Sequence, residues 1–231
     1  PTDLNRLIAA GNDPTTIRVA DPNADCRDAL AADFGVATFA EAPAAVEGTS
    51  TWLFAVKPQV MRQVCESLSA AAQATQPLVV SIAAGITSTQ LERWLGDSSA
   101  VVRSMPNTPA LLGAGVTGLF ANAHVDAHGR QLAQALLSSA GQTVWIDDEA
   151  RMDAVTGVSG SGPAYVFLLA EAMEAAAIKE GLAPDAARTL VLQTVLGAAR
   201  MLTESDVAPE ELRRRVTSPN GTTQAAVETF Q

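Results

Sequence analysis

Two rhythms of apolar and polar positions divide this chain. Up to about Asp148, compact apolar runs alternate with amphipathic stretches. TIRVA (Thr16 to Ala20), TWLFAV (Thr51 to Val56), PLVVSIA (Pro77 to Ala83) and AVVRSM (Ala100 to Met105) have the length and composition of strands buried on both faces. DCRDALAADF and QVMRQVCESLSAAAQ, lying between them, read as helices. GVTGLFA and QTVWIDD read as two further strands, with a helix around GRQLAQALLSSAG between them. Such alternation predicts a doubly wound, mostly parallel α/β sheet.

After Asp148 the strand signals stop. EARMDAVTGV, then Pro163 to Glu180, then Pro184 to Thr203 read as helix upon helix, so the sequence predicts an α/β domain over 1–148 and an all-α domain over 149–231. The two long helices are apolar over wide faces, AYVFLLAEAMEAAAI and AARTLVLQTVLGAARML. A segment of roughly eighty residues cannot bury that much surface in one layer, which predicts a homodimer formed through this half.

Composition narrows the function. Of 231 residues, 48% are hydrophobic, enough for a real core, and 15 basic against 25 acidic side chains leave a net charge of −10. That charge repels a nucleic-acid backbone, and the one basic cluster, Arg213-Arg214-Arg215, reads as a solvated helix face. Cys26 and Cys65 have neither metal-ligand nor redox spacing, which favours a reducing compartment, the cytoplasm. No basic-apolar-small signal segment opens the chain, and Glu171, Glu174, Lys179 and Glu180 interrupt or end the most apolar helix, so no membrane span is expected. His124 and His128, in NAHVDAHG, lack a third ligand and read as exposed loop residues, so no metal site is expected either.

Candidate chemistry gathers on one edge. In a doubly wound sheet, ligands bind beyond the carboxyl ends of the strands. There TWLFAV runs into Lys57-Pro58, PLVVSIA into Ala84-Gly85-Ile86-Thr87, and AVVRSM into Pro106-Asn107-Thr108-Pro109. Each loop alone has a purely structural explanation, since prolines stop strands, Gly85 supplies a turn and Lys57 reaches solvent. Together they suit a nucleotide: Lys57 for ribose or phosphate oxygens, Ala84 and Gly85 for the close approach of a flat ring, Asn107 for a carboxamide. Asp21, at the end of the TIRVA strand, fits the adenosine ribose or a turn equally well.

Two stretches rich in hydroxyls and glycine precede helices. In VSGSGPAYVF, Pro163 fits a first helical turn with Ser161 or Gly162 as N-cap. In RVTSPNGTTQAAVETF, Ser218 to Gly221 form a turn before a final helix that begins at Thr222 and Thr223. Both read either as ordinary caps or as a paired cradle for a small carboxylate without a fixed positive charge.

Taken in order, AVKPQ, VVSIAAGIT, VVRSMPNTPALLGAG, VTGVSGSGPAYVFLLAEAM and VTSPNGTTQAAVE resemble pyrroline-5-carboxylate reductase, over Ile17 to Gln231. The resemblance implies a Rossmann-like domain followed by an all-α dimerisation domain, assembled as a homodimer or a higher ring of dimers. It implies reduction of 1-pyrroline-5-carboxylate to L-proline by hydride from NADPH or NADH. Carried onto matching positions, it assigns Ala55, Val56, Lys57, Pro58, Ala84 and Gly85 to cofactor contact, and Met105, Pro106 and Asn107 to the nicotinamide pocket. Ser218, Gly221, Thr222 and Thr223 would hold the substrate's carboxylate and ring nitrogen, with Ser161 nearby across the dimer interface. Thr223 is the candidate proton relay.

The chain departs from the family pattern at both ends and at one turn. The usual first strand and its G-x-G-x-M turn are missing upstream of Ile17, Pro1 stands in place of an initiator methionine, and Gln231 falls early in the closing helix, so both ends read as trimmed. Asn220 replaces a common second glycine, which a left-handed turn tolerates. Two rival expectations stand beside this one. The first is another imine reductase or a β-hydroxyacid dehydrogenase; the hydroxyacid enzymes carry a catalytic lysine on the interdomain helix, whereas Lys179 here stands at the helix end. The second is a non-catalytic dimeric scaffold with a degenerate nucleotide domain.

Overall fold

Alternate residues of the central apolar runs enter two different cores. Val79 and Val101 join one buried cluster, Val80 and Val102 another, and all four are completely buried. Each buried valine contributes roughly 1.5–3 kcal/mol relative to exposure, so both faces of this sheet must be covered, and the runs therefore lack polar alternation. The computed structural model describes residues 2–9 and 11–230. Pro1, Ala10 and Gln231 lie outside the described residues, and with them the outer limits of the expected domains and the reading of both ends as trimmed.

In chain order the elements are α1 (Thr2–Ala9), β1 (Arg18–Ala20), α2 (Ala24–Phe34), β2 (Ala37–Phe39), α3 (Ala42–Val46), β3 (Thr51–Phe54), α4 (Pro58–Thr75), β4 (Leu78–Ser81) and α5 (Ser88–Leu95). They continue with β5 (Ala100–Met105), β6 (Gly115–Ala121), α6 (Ala127–Ser138), β7 (Gly141–Trp145), α7 (Met152–Val155), α8 (Gly162–Lys179), α9 (Pro184–Glu204), α10 (Pro209–Arg215) and α11 (Thr222–Thr229). Short 3-10 turns precede β1, follow β5 and precede α7.

The strands form a parallel pair, β1 with β2, and a five-stranded sheet in the order β3-β4-β5-β6-β7. Only β6 runs against its neighbour β5; the other pairs are parallel. Helices α4 and α5 pack on one face through Met61, Cys65, Leu68, Leu91 and Leu95, and α6 covers the other through Ala133 and Leu137. This is a doubly wound, mostly parallel, Rossmann-like sheet. Pro58 opens α4 at its first turn, where a missing N–H costs nothing, and Thr87 and Gln90 close a reciprocal capping box at the start of α5. α1, β2, α3 and α5 go beyond the elements expected from the sequence; each is short, and β2 has only three residues, none buried.

The chain divides between Pro163 and Ala164 into two compact units. Residues 149–163, which the change of rhythm assigns to the helical half, thus belong with the sheet. Met152 is buried, and a Cβ on Gly118 of β6 would lie 2.5 Å from the Cγ1 of Val155, so helix and strand approach closely there. A helical period reports an element, not what the element packs against.

Among the described residues, the regular elements of the second unit are all helices. In α8, the consecutive residues Tyr165, Val166, Phe167, Leu168 and Leu169 are all exposed, so the first turns of the helix are apolar on every side. In α9 only Ala187 and Val191 are buried. Arg188 of α9 pairs with Glu174 of α8 at 3.7 Å. Arg213, Arg214 and Arg215 form the solvated last turn of α10, where Arg214 and Arg215 pair with Glu211. Among the described residues, no helix is long and apolar enough to cross a membrane.

Candidate functional site

Strand register decides which loop residues share an edge. Phe54, Ser81 and Arg103 lie side by side across β3, β4 and β5. Lys57, Ala84 and Pro106 each follow three residues later, so parallel pairing delivers all three loops to the carboxyl edge, as the sequence predicts.

Each loop brings a different chemical surface. Ala55 and Lys57 are exposed and Val56 and Pro58 half-buried; Lys57 precedes α4 in extended conformation without a side-chain cap bond. Lys57, a cationic residue, thus stands directly before the first N–H groups of α4, a combination that suits oxygen anions. Ala84 and Gly85 are exposed, and Gly85 has φ 75 with open space where a Cβ would stand. They present bare backbone, on which a planar ring can rest.

Met105, Pro106 and Asn107 are half-buried. Asn107 precedes the 3-10 turn over Thr108–Leu112, and its Oδ1 accepts the Val116 N–H of β6 at 3.0 Å. A backbone N–H needs an acceptor, which fixes the amide orientation and reserves the Nδ2 donors for another partner. Those donors suit the oxygen of a carboxamide.

The small residues before Pro163 take a different form from the cap expected there. The chain leaves α7 through a wide turn over Thr156–Gly160, in which the Ser161 N–H donates to the Thr156 carbonyl at 2.8 Å, and then continues as α8. Ser161 has helical dihedrals, so it is not an N-cap, and its N–H is not free for an anion. The reason is upstream: α7 is already helical, and α8 prolongs it instead of starting anew. What the small residues provide is proximity. A Cβ on Gly160 would lie 2.6 Å from the Cε of Met105, so this segment lies directly against the end of β5.

The second hydroxyl-rich stretch does begin a helix. The Gly221 N–H donates to the Ser218 carbonyl at 3.1 Å, Asn220 adopts φ 59, and α11 starts at Thr222 with no side-chain cap bond. Asn220 thus takes the left-handed position expected of it. Ser218, Thr222 and Thr223 are exposed and Gly221 half-buried, so in this unit hydroxyls and helix-start N–H groups are accessible together.

Asp21 is a turn residue at the end of β1. Its carboxylate accepts the Asn23 N–H at 2.8 Å in a turn, Asn23 caps α2, and Arg27 donates to the Asp21 and Pro22 carbonyls at 2.8 and 3.0 Å. Asp21 remains half-buried at the carboxyl end of β1 beside a guanidinium. His124 lies in an exposed turn, as expected, but pairs with Glu92 at 2.9 Å; His128 stands in the first turn of α6, not in a loop. Burial pushes the Cys65 thiol up to about 12, so it supplies no nucleophile.

Sequence reasoning missed one polar group. Glu149, three residues before the buried Met152, accepts hydrogen bonds from Ser88 and Arg103, and its side chain is 22% exposed. No local motif marks it, because its partners are far away in the chain.

Comparison with known proteins gives a consistent result. A family model described as pyrroline-5-carboxylate reductase dimerisation matches residues 149–231, and one described as NADP oxidoreductase coenzyme F420-dependent matches residues 4–85. A pyrroline-5-carboxylate reductase from Pseudomonas aeruginosa is 52% identical, over 99% of this chain and 83% of the relative. The solved structure of a pyrroline-5-carboxylate reductase from Coxiella burnetii has a TM-score of 0.92 and 40% identity, over 99% of this chain and 85% of that one. A Plasmodium falciparum pyrroline carboxylate reductase with NADP bound has a TM-score of 0.86 and 26% identity, over 99% and 84%.

Proposed function

The chain belongs to the pyrroline-5-carboxylate reductase family, and we infer from that membership that it reduces 1-pyrroline-5-carboxylate to L-proline with NADPH, NADH serving as an alternative donor. The last step of proline biosynthesis is therefore its reaction. The rivals, a hydroxyacid dehydrogenase or an inert scaffold, give way to this reading.

Reduction of a cyclic imine needs one hydride at carbon and one proton at nitrogen. The reduced nicotinamide supplies the hydride when bound. In the role assignment proposed here, Lys57 and the start of α4 meet ribose and phosphate oxygens, and Ala55, Val56 and Pro58 shape the wall beside them. Ala84 and Gly85 give a bare shelf for the ring, and Asn107 Nδ2 donates to the carboxamide between Met105 and Pro106. Asp21 meets the adenosine ribose; its carboxylate favours the free 2′-hydroxyl of NADH, while the neighbouring Arg27 guanidinium suits the 2′-phosphate of NADPH.

For the substrate, Ser218, Gly221, Thr222 and Thr223 are proposed to hold the carboxylate and ring nitrogen, with Ser161 contributing across the dimer interface. Thr223 relays the proton to nitrogen through its hydroxyl. An imine carbon is already electrophilic, so orientation does most of the work and no strong acid, thiolate or metal is required.

Helices 149–231 carry the homodimer contact, in keeping with the matched dimerisation segment. A ring of dimers and a cytoplasmic location complete the proposal; the unpaired Cys26 and Cys65 support the second. The observation that carries the reading is the 52% identity to a pyrroline-5-carboxylate reductase over 99% of this chain; the close approach of Gly160 to Met105, at the carboxyl edge of the sheet, supports the proposed site. The test is an absorbance assay of nicotinamide oxidation with pyrroline-5-carboxylate and each cofactor in turn. Proline formation with NADPH is expected; no turnover with either cofactor overturns the proposal.

A further inference from the structure

Three bonds converge on one carboxylate. Glu149 Oε1 accepts the Ser88 N–H at 2.6 Å and an Arg103 Nη1–H at 2.8 Å, and Oε2 accepts the Ser88 hydroxyl at 2.7 Å. Ser88 is the first residue of α5, directly after the Ala84–Thr87 loop. Arg103 lies two residues before Met105 on β5. Glu149 itself starts the run that passes through Met152 and reaches Gly160 and Ser161. One side chain thus ties together the loop assigned to cofactor contact, the strand ending in Met105 and the segment lying against Met105.

Stability alone explains this poorly. Arg103 has a side chain only 9% exposed, and a buried ion pair is often no better than apolar residues of the same size. The start of α5 does not need Glu149 for its own cap either, since Thr87 already accepts the Gln90 N–H. What the pair does that apolar side chains cannot is fix a backbone N–H of the loop's far end at a defined place relative to β5.

We propose that Glu149, held by Arg103, is a positioning residue that sets the Ala84–Thr87 loop against Met105 and so determines how well the cofactor's nicotinamide end is bound. This rests on the assignment of Ala84 and Gly85 to the cofactor. Glu149 touches neither cofactor nor substrate; it acts through Ser88.

The experiment uses the full chain in its native assembly and reads KM for NADPH and kcat separately, with a melting curve for each variant. Glu149→Ala is expected to raise KM for NADPH about ten-fold while kcat at saturation stays within about three-fold. Glu149→Gln, which keeps a neutral acceptor for the Ser88 N–H, recovers most of that loss. The double variant Glu149→Leu with Arg103→Met regains thermal stability but keeps the raised KM, because the Ser88 N–H still lacks its acceptor. Unchanged KM in Glu149→Ala, or a double variant that regains normal KM along with stability, overturns the proposal. Gly85→Val is the control for the underlying assignment: if it leaves KM for NADPH unchanged, the cofactor reading itself fails, whereas a raised KM there with a normal Glu149→Ala refutes only the positioning role.

Discussion

A side chain on Gly160 would place its first carbon 2.6 Å from the Cε methyl of Met105, closer than two carbon atoms approach each other. The atom in the way is the far end of a flexible side chain, so the protein folds around the clash and Met105 turns aside. Gly160→Ala is therefore expected to cost little stability, a melting shift within about 3 °C, and to lower kcat/KM about ten-fold. Combining it with Met105→Ala removes the clash, so the two losses do not add. Steady-state kinetics on the four proteins of this cycle decides it, and strict additivity rejects the contact as functionally relevant.

Asn107 separates its two ends. Since Oδ1 already serves the Val116 N–H, Asn107→Asp keeps an acceptor for the structural bond and replaces the Nδ2 donors with a second, negatively charged carboxylate oxygen. Expected is a nearly unchanged melting temperature with NADPH affinity reduced about ten-fold, the worth of one polar contact to a buried partner. Calorimetric titration with NADPH measures it; undiminished affinity contradicts the carboxamide role.

Thr223 is exposed at the start of α11, so its replacement leaves folding alone. Thr223→Ala should cut kcat by about a hundred-fold with NADPH binding intact. Equal losses in turnover and binding, or no loss in either, would reject proton relay at this hydroxyl.

Glu149 also makes stability depend on pH in one direction. Burial alone would raise its carboxyl, but the Ser88 N–H, the Ser88 hydroxyl and Arg103 outweigh burial and hold it below the ordinary glutamate range. A group lowered in the folded state stabilises above its unfolded pKa and loses that contribution as pH falls through the folded one. The melting-temperature gap between wild type and Glu149→Gln should be full near neutrality and shrink below roughly pH 4. A gap that widens in acid contradicts the sign.

The sheet was legible because strand runs announce themselves locally. β5 and β6 match the expected AVVRSM and GVTGLFA residue for residue, and the three loops follow from where parallel strands end. β2 left no signal, since ATF is too short and too exposed to show a period. The start of α8 misled for a physical reason: glycine, serine and proline in sequence spell a cap, yet a wide turn can absorb them when the preceding segment is already helical. Glu149 was invisible because its bonds span 61 and 46 residues, beyond the reach of any pattern read along the chain.

Helix α8 carries Phe167 at 65% and Leu168 at 64% exposure, side by side with other apolar neighbours. Water cannot be the lasting environment of such a surface. Heat resistance should then follow protein concentration, as it does wherever association and folding are one equilibrium. Dilution, by the same logic, lowers catalytic output and leaves separated protomers prone to precipitate.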